Sequence, residues 1–335
     1  MPEGLRKLAE CVPNFSEGRD LSIIKEITRE VESTPGVTLL GVEESADYNR
    51  TVVTFVGGPE DVKMAAFKLI ARAAELIDMS RQKGKHPRVG ATDVCPFVPI
   101  SGVTMADCIA LAEALGREVG ERLGIPIYLY AEAARKELRR NLADIRRGEY
   151  EGLGEKLKDP EWRPDFGPSQ FTDRVKRTGA TVIGARKLLI AYNIALNSPD
   201  VSIAKNIAGK VRQSGVAGKG NEGVVRIPGM LKKVQALGVK LESGLTEVTM
   251  NLTDYEVTPP HVAFEAVKKE AWASGIDIVY SEIVGLVAKE PLILAGRFYG
   301  GKGNEKELID AAVKGLLLKD FIPEKKVIEY AAGLK

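Results

Sequence analysis

Thr51-Val52-Val53-Thr54-Phe55-Val56, closed by Gly57-Gly58-Pro59 and followed by an alanine-rich stretch from Ala65 to Ile77, decides the fold. β-branched and aromatic residues bounded by Gly and Pro predict a strand, and the periodic run after a proline predicts a helix. The same order returns at Val248-Thr249-Met250-Asn251-Leu252, a turn, Pro259-Pro260 and a helical stretch to Ala273. Working outward, Glu10 to Phe15 reads as a short strand. Ser16 or Asp20 can cap a helix through Ile23, Ile24, Ile27 and Val31, and Pro35-Gly36 stops it. Val37 to Val42 and Asp93 to Ile100 complete the first set of strands. In the second half, strands are expected at Lys187 to Leu196, Val239 to Leu241, Glu247 to Leu252 and Ile276 to Ser281, with helices at Ile203 to Val211 and Pro260 to Ala273. The chain therefore reads as α+β: two ferredoxin-like βαββαβ subdomains, 1–180 and 181–335, each sheet covered by helices on one face. Their open faces are expected to face each other across a ligand cleft.

The 335 residues suit two cores, and 44% hydrophobic with 28% charged residues is ordinary for a globular protein. The 48 basic and 46 acidic residues leave a net charge of +2, which gives no nucleic-acid footprint. The run Arg135-Lys136-Glu137-Leu138-Arg139-Arg140 reads as a solvated helix face. Cys11, Cys95 and Cys108 lack CxxC spacing, which predicts reduced, buried thiols and no metal site. Without an apolar signal or spanning segment, a soluble cytoplasmic protein is expected, bound neither to membrane nor to nucleic acid. Gly148 to Gly184 reads as linker or cleft lining, and Gly215 to Gly229 as a mobile loop. Gly218-Lys219-Gly220-Asn221-Glu222-Gly223 fits GxGxxG but follows a helical pattern. Gly303 stands where a Walker loop after Gly301-Lys302 needs Ser or Thr. Neither supports nucleotide binding.

Only two histidines occur. His86 lies in Arg81-Gln82-Lys83-Gly84-Lys85-His86-Pro87-Arg88-Val89-Gly90-Ala91-Thr92-Asp93, among charges and between glycines that permit a tight loop. It reads either as a surface histidine or as a proton shuttle. His261 follows Pro259-Pro260 in a first helical turn and is open to a structural or a ligand-lining role.

Several stretches resemble the glutamate formimidoyltransferase family: Glu10 to Gly18, Asn49-Arg50-Thr51-Val52, Ile77 to Arg81, the His86 loop through Pro99, and Tyr128-Leu129-Tyr130. So do Ala133-Ala134-Arg135, Arg147 to Glu151, Pro164 to Ser169, Gly184 to Lys187 and Leu231 to Gln235. The resemblance runs from about Leu8 to about Ala331. It implies two α/β subdomains holding folate between them. The implied reaction moves the formimidoyl group of N-formimidoyl-L-glutamate to tetrahydrofolate in histidine degradation, yielding 5-formimidoyltetrahydrofolate and L-glutamate. It places the catalytic histidine at His86 and folate contacts at Gly167, Pro168, Ser169, Gln170, Phe171, Thr178 and Gly179. Between Phe171 and Gly179 the chain departs from the vertebrate pattern, being longer and more basic. Vertebrate members carry a fused cyclodeaminase domain, and this chain stops before one could begin.

A carboxylate is expected to orient the imidazole, with Glu43, Glu44, Asp47 and Asp93 as candidates. Glu43 is taken as the catalytic partner, where relatives often carry Asp. Arg50, Arg88 and Arg186 suit the substrates' carboxylates, and Asn14 and Asp93 join them as candidate substrate-binding residues. Tetrahydrofolate enters as co-substrate, with no metal. A homodimer is implied, and the apolar residues around the helix Ala106 to Leu123 are compatible with it. Glutamate formyl transfer on the same scaffold and a folate-binding protein without turnover are the alternatives.

Overall fold

The computed structural model describes residues 7–46, 48–84, 86–220, 223–241 and 243–333. The chain divides between Lys187 and Leu188, a few residues past the expected boundary.

In the first unit, β1 (Leu8–Cys11), β2 (Asn14–Phe15), α1 (Leu21–Glu32), β3 (Val37–Ser45), β4 (Arg50–Gly57), α2 (Pro59–Leu76) and β5 (Thr92–Ser101) follow the expected order. Asp20 caps α1 by accepting from the N–H groups of Ser22 and Ile23. Pro13 interrupts the first strand, so β1 and β2 lie in series between β4 and β5, and β3 pairs outside β4. Counting β1 and β2 as one strand, the order is second, third, first, fourth, all antiparallel. Val53 and Phe55 alternate inward along β4 and pack with Ile27, Val31, Leu69 and Ile70 from α1 and α2.

The unit then continues where the sequence suggested a linker. It adds α3 (Met105–Leu123), β6 (Ile127–Ala131), α4 (Leu142–Arg146), α5 (Leu153–Lys156), α6 (Asp173–Thr178) and β7 (Thr181–Ala185). β7 runs parallel to β5 and to β6, completing a seven-stranded sheet, and this pairing carries the unit to Lys187. α3 lays Leu111, Leu115 and Val119 on one face of the sheet, so this apolar surface is used within the unit. On the opposite face Val89, Val94, Tyr128, Tyr130 and Val182 pack with Ile145, Leu153, Leu157 and Val175. Parallel strands are usually covered on both sides, and here the second cover is α4 to α6.

One residue of the basic run expected on a solvated helix face departs from that expectation. Arg139 is fully buried and donates to Asp165 at 2.7 Å and to the Arg163 carbonyl at 2.6 Å. Between Phe171 and Gly179 two basic residues cap neighbouring helices. Arg174 donates to the Leu123 carbonyl and Arg177 to the Glu75 carbonyl, at the C-terminal ends of α3 and α2.

The second unit contains β8 (Ile190–Leu196), α7 (Val201–Val211), β9 (Val216–Gly220), β10 (Gly223–Ile227), β11 (Val234–Lys240), β12 (Thr246–Leu252), α8 (Pro260–Ala273) and β13 (Ile278–Val284). α9 (Lys289–Phe298) and α10 (Glu305–Gly315) follow. Its main sheet has the order β11-β12-β8-β13, all antiparallel, the same second-third-first-fourth order as in the first unit. The expected mobile loop is a two-stranded ribbon of β9 and β10. All three cysteines are free and buried. Among the described residues no helix is long and apolar enough to cross a membrane, and no group of three His, Cys, Asp or Glu could hold a metal ion.

Candidate active site

The first unit gathers ionisable groups around the connection 77–91, which joins α2 to β5. Ser16, just after β2, holds this connection from one side, its N–H donating to Ala91 and its hydroxyl to the Gly90 carbonyl, each at 2.8 Å. From the other side the end of α6 forms a bridge between Gly90 and Gly179. A Cβ on Gly179 would sit 2.3 Å from the Val89 carbonyl oxygen, and its φ of +67° is itself a conformation that favours glycine. Thr178 is buried beside it and accepts the Ala91 N–H at its carbonyl. Asn49, in the turn between β3 and β4, completes the frame. It takes a left-handed φ of 49° that asparagine tolerates. Its side chain accepts from Gly18 N–H and donates to the Lys83 carbonyl, each at 3.0 Å.

Within this frame His86 Nδ1 lies 2.7 Å from the Pro87 carbonyl oxygen. A carbonyl can only accept, so Nδ1 carries the proton and a neutral ring keeps Nε2 as its basic atom. Tyr48 meets the imidazole edge-on at 6.1 Å. Burial, then the charges of Arg50 and Arg146, hold the His86 pKa below its ordinary 6.5, opposed by the Pro87 carbonyl and Asp93. The imidazole is therefore neutral near pH 7, the form a general base needs.

Asp93 is the carboxylate whose charge reaches His86. It is buried, accepts the Val89 N–H at 2.8 Å, and takes two donors from Arg146, Nε at 3.1 Å and Nη2. Glu43, expected as the partner, is exposed on β3, and its charge acts on Arg50. Asp47 lies outside the described residues. Arg50 is lowered by burial and by Arg146, and its Nε is buried with no hydrogen-bond partner among the described residues.

The remaining candidates separate. Arg88 has every donor engaged: Nε with Gln82 at 2.8 Å, Nη1 with Glu149 at 3.0 Å and Glu151 at 2.8 Å, Nη2 with Glu151 at 2.7 Å and the Gln82 carbonyl at 3.3 Å. It therefore ties Glu149 and Glu151 to the loop and has no fork left for a carboxylate. Beside it an open depression of about 500 Å³ is lined by Lys83, Gly84, Arg88, Gly148, Glu149 and Glu151. Arg186 donates to the Lys187 carbonyl at 3.0 Å and bonds Tyr130, whose hydroxyl burial pushes up to about 12. Asn14 is buried and turns its amide to the Val12 carbonyl at 3.0 Å. Gly167 crosses α3 where a Cβ would lie 2.2 Å from the Ile125 carbonyl oxygen. Pro168 is half-buried, while Ser169, Gln170 and Phe171 are exposed, the last against Tyr150 with ring centroids 6.4 Å apart. Arg146 escaped sequence reading because its role depends on Asp93, distant in the chain, and nothing local marks it.

The model described as "Formiminotransferase domain, N-terminal subdomain" matches residues 8–186, and that described as "Formiminotransferase domain" matches 191–333. The formimidoyltransferase-cyclodeaminase of Sus scrofa is 48% identical over 97% of this chain, which spans 60% of that relative's length. The glutamate formimidoyltransferase of Streptococcus pyogenes serotype M1 is 38% identical, with 97% of this chain and 98% of the relative covered. That of Thermoplasma acidophilum is 44% identical, with 87% and 92% covered. With one family domain matched in each unit and close relatives covered almost end to end, the chain belongs to the formiminotransferase family.

Proposed function

We propose that this protein is a glutamate formimidoyltransferase, moving the formimidoyl group of N-formimidoyl-L-glutamate to the five-position nitrogen of tetrahydrofolate. The observation that carries the reading is His86, neutral, with Nδ1 committed to Pro87 and Nε2 left basic beside Arg50 and Arg146. The folate amine attacks the amidine carbon, and Nε2 takes the proton that the new C–N bond makes acidic. The tetrahedral adduct then breaks its bond to the glutamate nitrogen, and the imidazolium returns the proton to that leaving amine. The products are 5-formimidoyltetrahydrofolate and L-glutamate, and His86 ends as it began.

Arg50 is the group best suited to a substrate carboxylate, since its Nε is buried and unpartnered. Glu43 balances the Arg50 charge, and Asp93 with Arg146 holds the field at the imidazole. Asn14 and Arg88 serve by holding the loops, and Arg186 by its bond to Tyr130. Folate contacts fall on the exposed Ser169-Gln170-Phe171, with Gly167, Pro168, Thr178 and Gly179 shaping their course. Pairing of two chains and a cytoplasmic site are further proposals, resting on the family resemblance alone. Light scattering at micromolar concentration tests the first; one chain's mass, stable on dilution, refutes it.

The test of the reaction is incubation with tetrahydrofolate and either the formimidoyl or the formyl donor, following the folate product spectrum. Product from the formimidoyl donor alone is expected. Product from the formyl donor alone would transfer the reading to formyl chemistry, and binding without product would reduce it to folate binding.

A further inference from the structure

Lys156 belongs to none of the loops that touch His86, yet it is fastened to the segment that carries Arg146. Its Nζ donates to the Ile145 carbonyl and, at 2.7 Å, to the Arg147 carbonyl, those of the residues on either side of Arg146 at the end of α4. The third side of the ammonium faces the Trp162 ring, 4.7 Å from its centroid. Two carbonyls and a ring thus surround the ammonium, and the last carbonyls of α4 (Leu142–Arg146), like those of any helix, need partners beyond its own hydrogen bonds. Ile145 and Val89 share the core beneath the site, so α4 and the His86 loop rest on one support. Burial, with the Arg147 charge second, brings the Lys156 ammonium down to about 8, and it remains mostly charged at neutral pH.

We infer that Lys156 is a positioning residue for the transferase: by clamping the carbonyls on either side of Arg146, it aims that guanidinium at Asp93 and fixes the field in which His86 works. The chain of contact is continuous. Lys156 holds the Ile145 and Arg147 carbonyls on either side of Arg146; Arg146 engages Asp93; and Asp93 takes the N–H of Val89 in the His86 loop. Without the clamp Arg146 moves off Asp93. The imidazole then loses a nearby cation and faces an uncompensated carboxylate, and both changes raise its pKa. The groups whose charge reaches His86 are Arg50, Arg146 and Asp93, with the Pro87 carbonyl as its hydrogen-bond partner.

The inference rests on the transferase reading for its effect on turnover, but not for its effect on His86. With only two histidines in the chain, one His86 variant assigns both ring resonances in a proton NMR titration of the free protein. In Lys156→Met, which keeps the apolar stem, the His86 midpoint is expected to rise toward its ordinary value. The acid limb of turnover is expected to move up with it. Lys156→Gln, with two N–H donors left, should shift both by less. Lys158→Met, which removes a neighbouring exposed lysine paired with Glu155 at 2.7 Å, should change neither. If Lys156→Met melts earlier but leaves the His86 midpoint and turnover as in the parent, Lys156 is merely structural and the inference is overturned. Should Lys156→Met not fold, Lys156→Gln is read by the same two measurements and the same criterion. A parent protein that transfers no formimidoyl group would end the transferase reading, and the His86 midpoint would still decide the clamp.

Discussion

Between its second helix and its fourth strand, the first unit inserts residues 77–91, while the second unit connects α8 to β13 with 274–277 alone. The two units otherwise share one strand order. The long connection carries His86. The short one carries no ionisable group except Asp277, whose carbonyl accepts the Asn197 N–H. The units differ again after the shared frame. The first adds β6 and β7 in parallel and covers them with α4 to α6, and that addition brings Arg146 and Gly179 to the loop. The second adds α9 and α10, whose surroundings are hydroxyls and carboxylates in pairs, such as Tyr299 with Glu265 and Tyr330 with Glu305. A duplicated scaffold gathers an ionisable cluster in one copy through loop length and an extra layer, not through a different sheet.

The largest expected effect falls on the residue that most separates the units. His86→Ala should cut turnover by ~10²–10⁴ with folate affinity nearly kept, since only proton transfer is lost. Steady-state kinetics with both substrates saturating check this; a variant that matched the parent would remove His86 from the chemistry. Arg146→Met removes the partner of a buried carboxylate and should cost about 3 kcal/mol in denaturant melts. Stability within 0.5 kcal/mol of the parent (roughly the scatter of a neutral surface change) would mean Asp93 does not depend on it. Gly179→Ala puts a Cβ against the Val89 carbonyl at a positive φ and should cost about 2 kcal/mol, with turnover falling alongside. A variant as active and stable as the parent would show that the loop does not need the close approach at Gly90.

The pH profile sharpens the same contrast. Because the His86 pKa lies below 6.5, its neutral form persists into mildly acid solution. The acid limb of kcat/KM should therefore fall below pH 6.5. Arg50→Met, which removes one of the cations that lower the pKa, should move the limb upward. A limb that moves down instead contradicts the assigned field. The smallest effect is expected in the second unit. His261 stacks on Phe298 with centroids 4.7 Å apart, and His261→Phe should change turnover less than about twofold. Loss of chemistry there would end the claim that proton transfer belongs to the first unit.

The shared βαββαβ order was legible because β4 and β12 alternate or carry β-branched runs between Gly and Pro. Boundaries drifted where apolar residues continue, as in β11, which starts at Val234 and not near Val239. β6 and β7 were not read as strands of the sheet. Ile127-Tyr128-Leu129-Tyr130 and Thr181-Val182-Ile183 are buried on both faces, and that removes the alternation by which a strand is recognised. His86 announced itself by rarity and by its loop. Glu43 was one of four candidate carboxylates, at a position where relatives often carry Asp; its charge acts on Arg50, while the carboxylate whose charge reaches the ring is Asp93, inside the motif already quoted. Arg146 and Lys156 could not be read, since their meaning comes from one guanidinium meeting a distant carboxylate and one ammonium meeting two carbonyls.

The earliest strand of the first unit to be synthesised, Leu8 to Phe15, is also the one wedged in the middle of its sheet, between β4 and β5. On a ribosome adding roughly 5–20 residues per second, this apolar segment waits on the order of ten seconds before β5 exists to flank it. Until then it presents two unsatisfied edges, an invitation to chaperones and to aggregation alike. Damage at this end of the molecule would therefore split the sheet down its centre, with the α2–β5 loop on one half and the β3–β4 turn on the other.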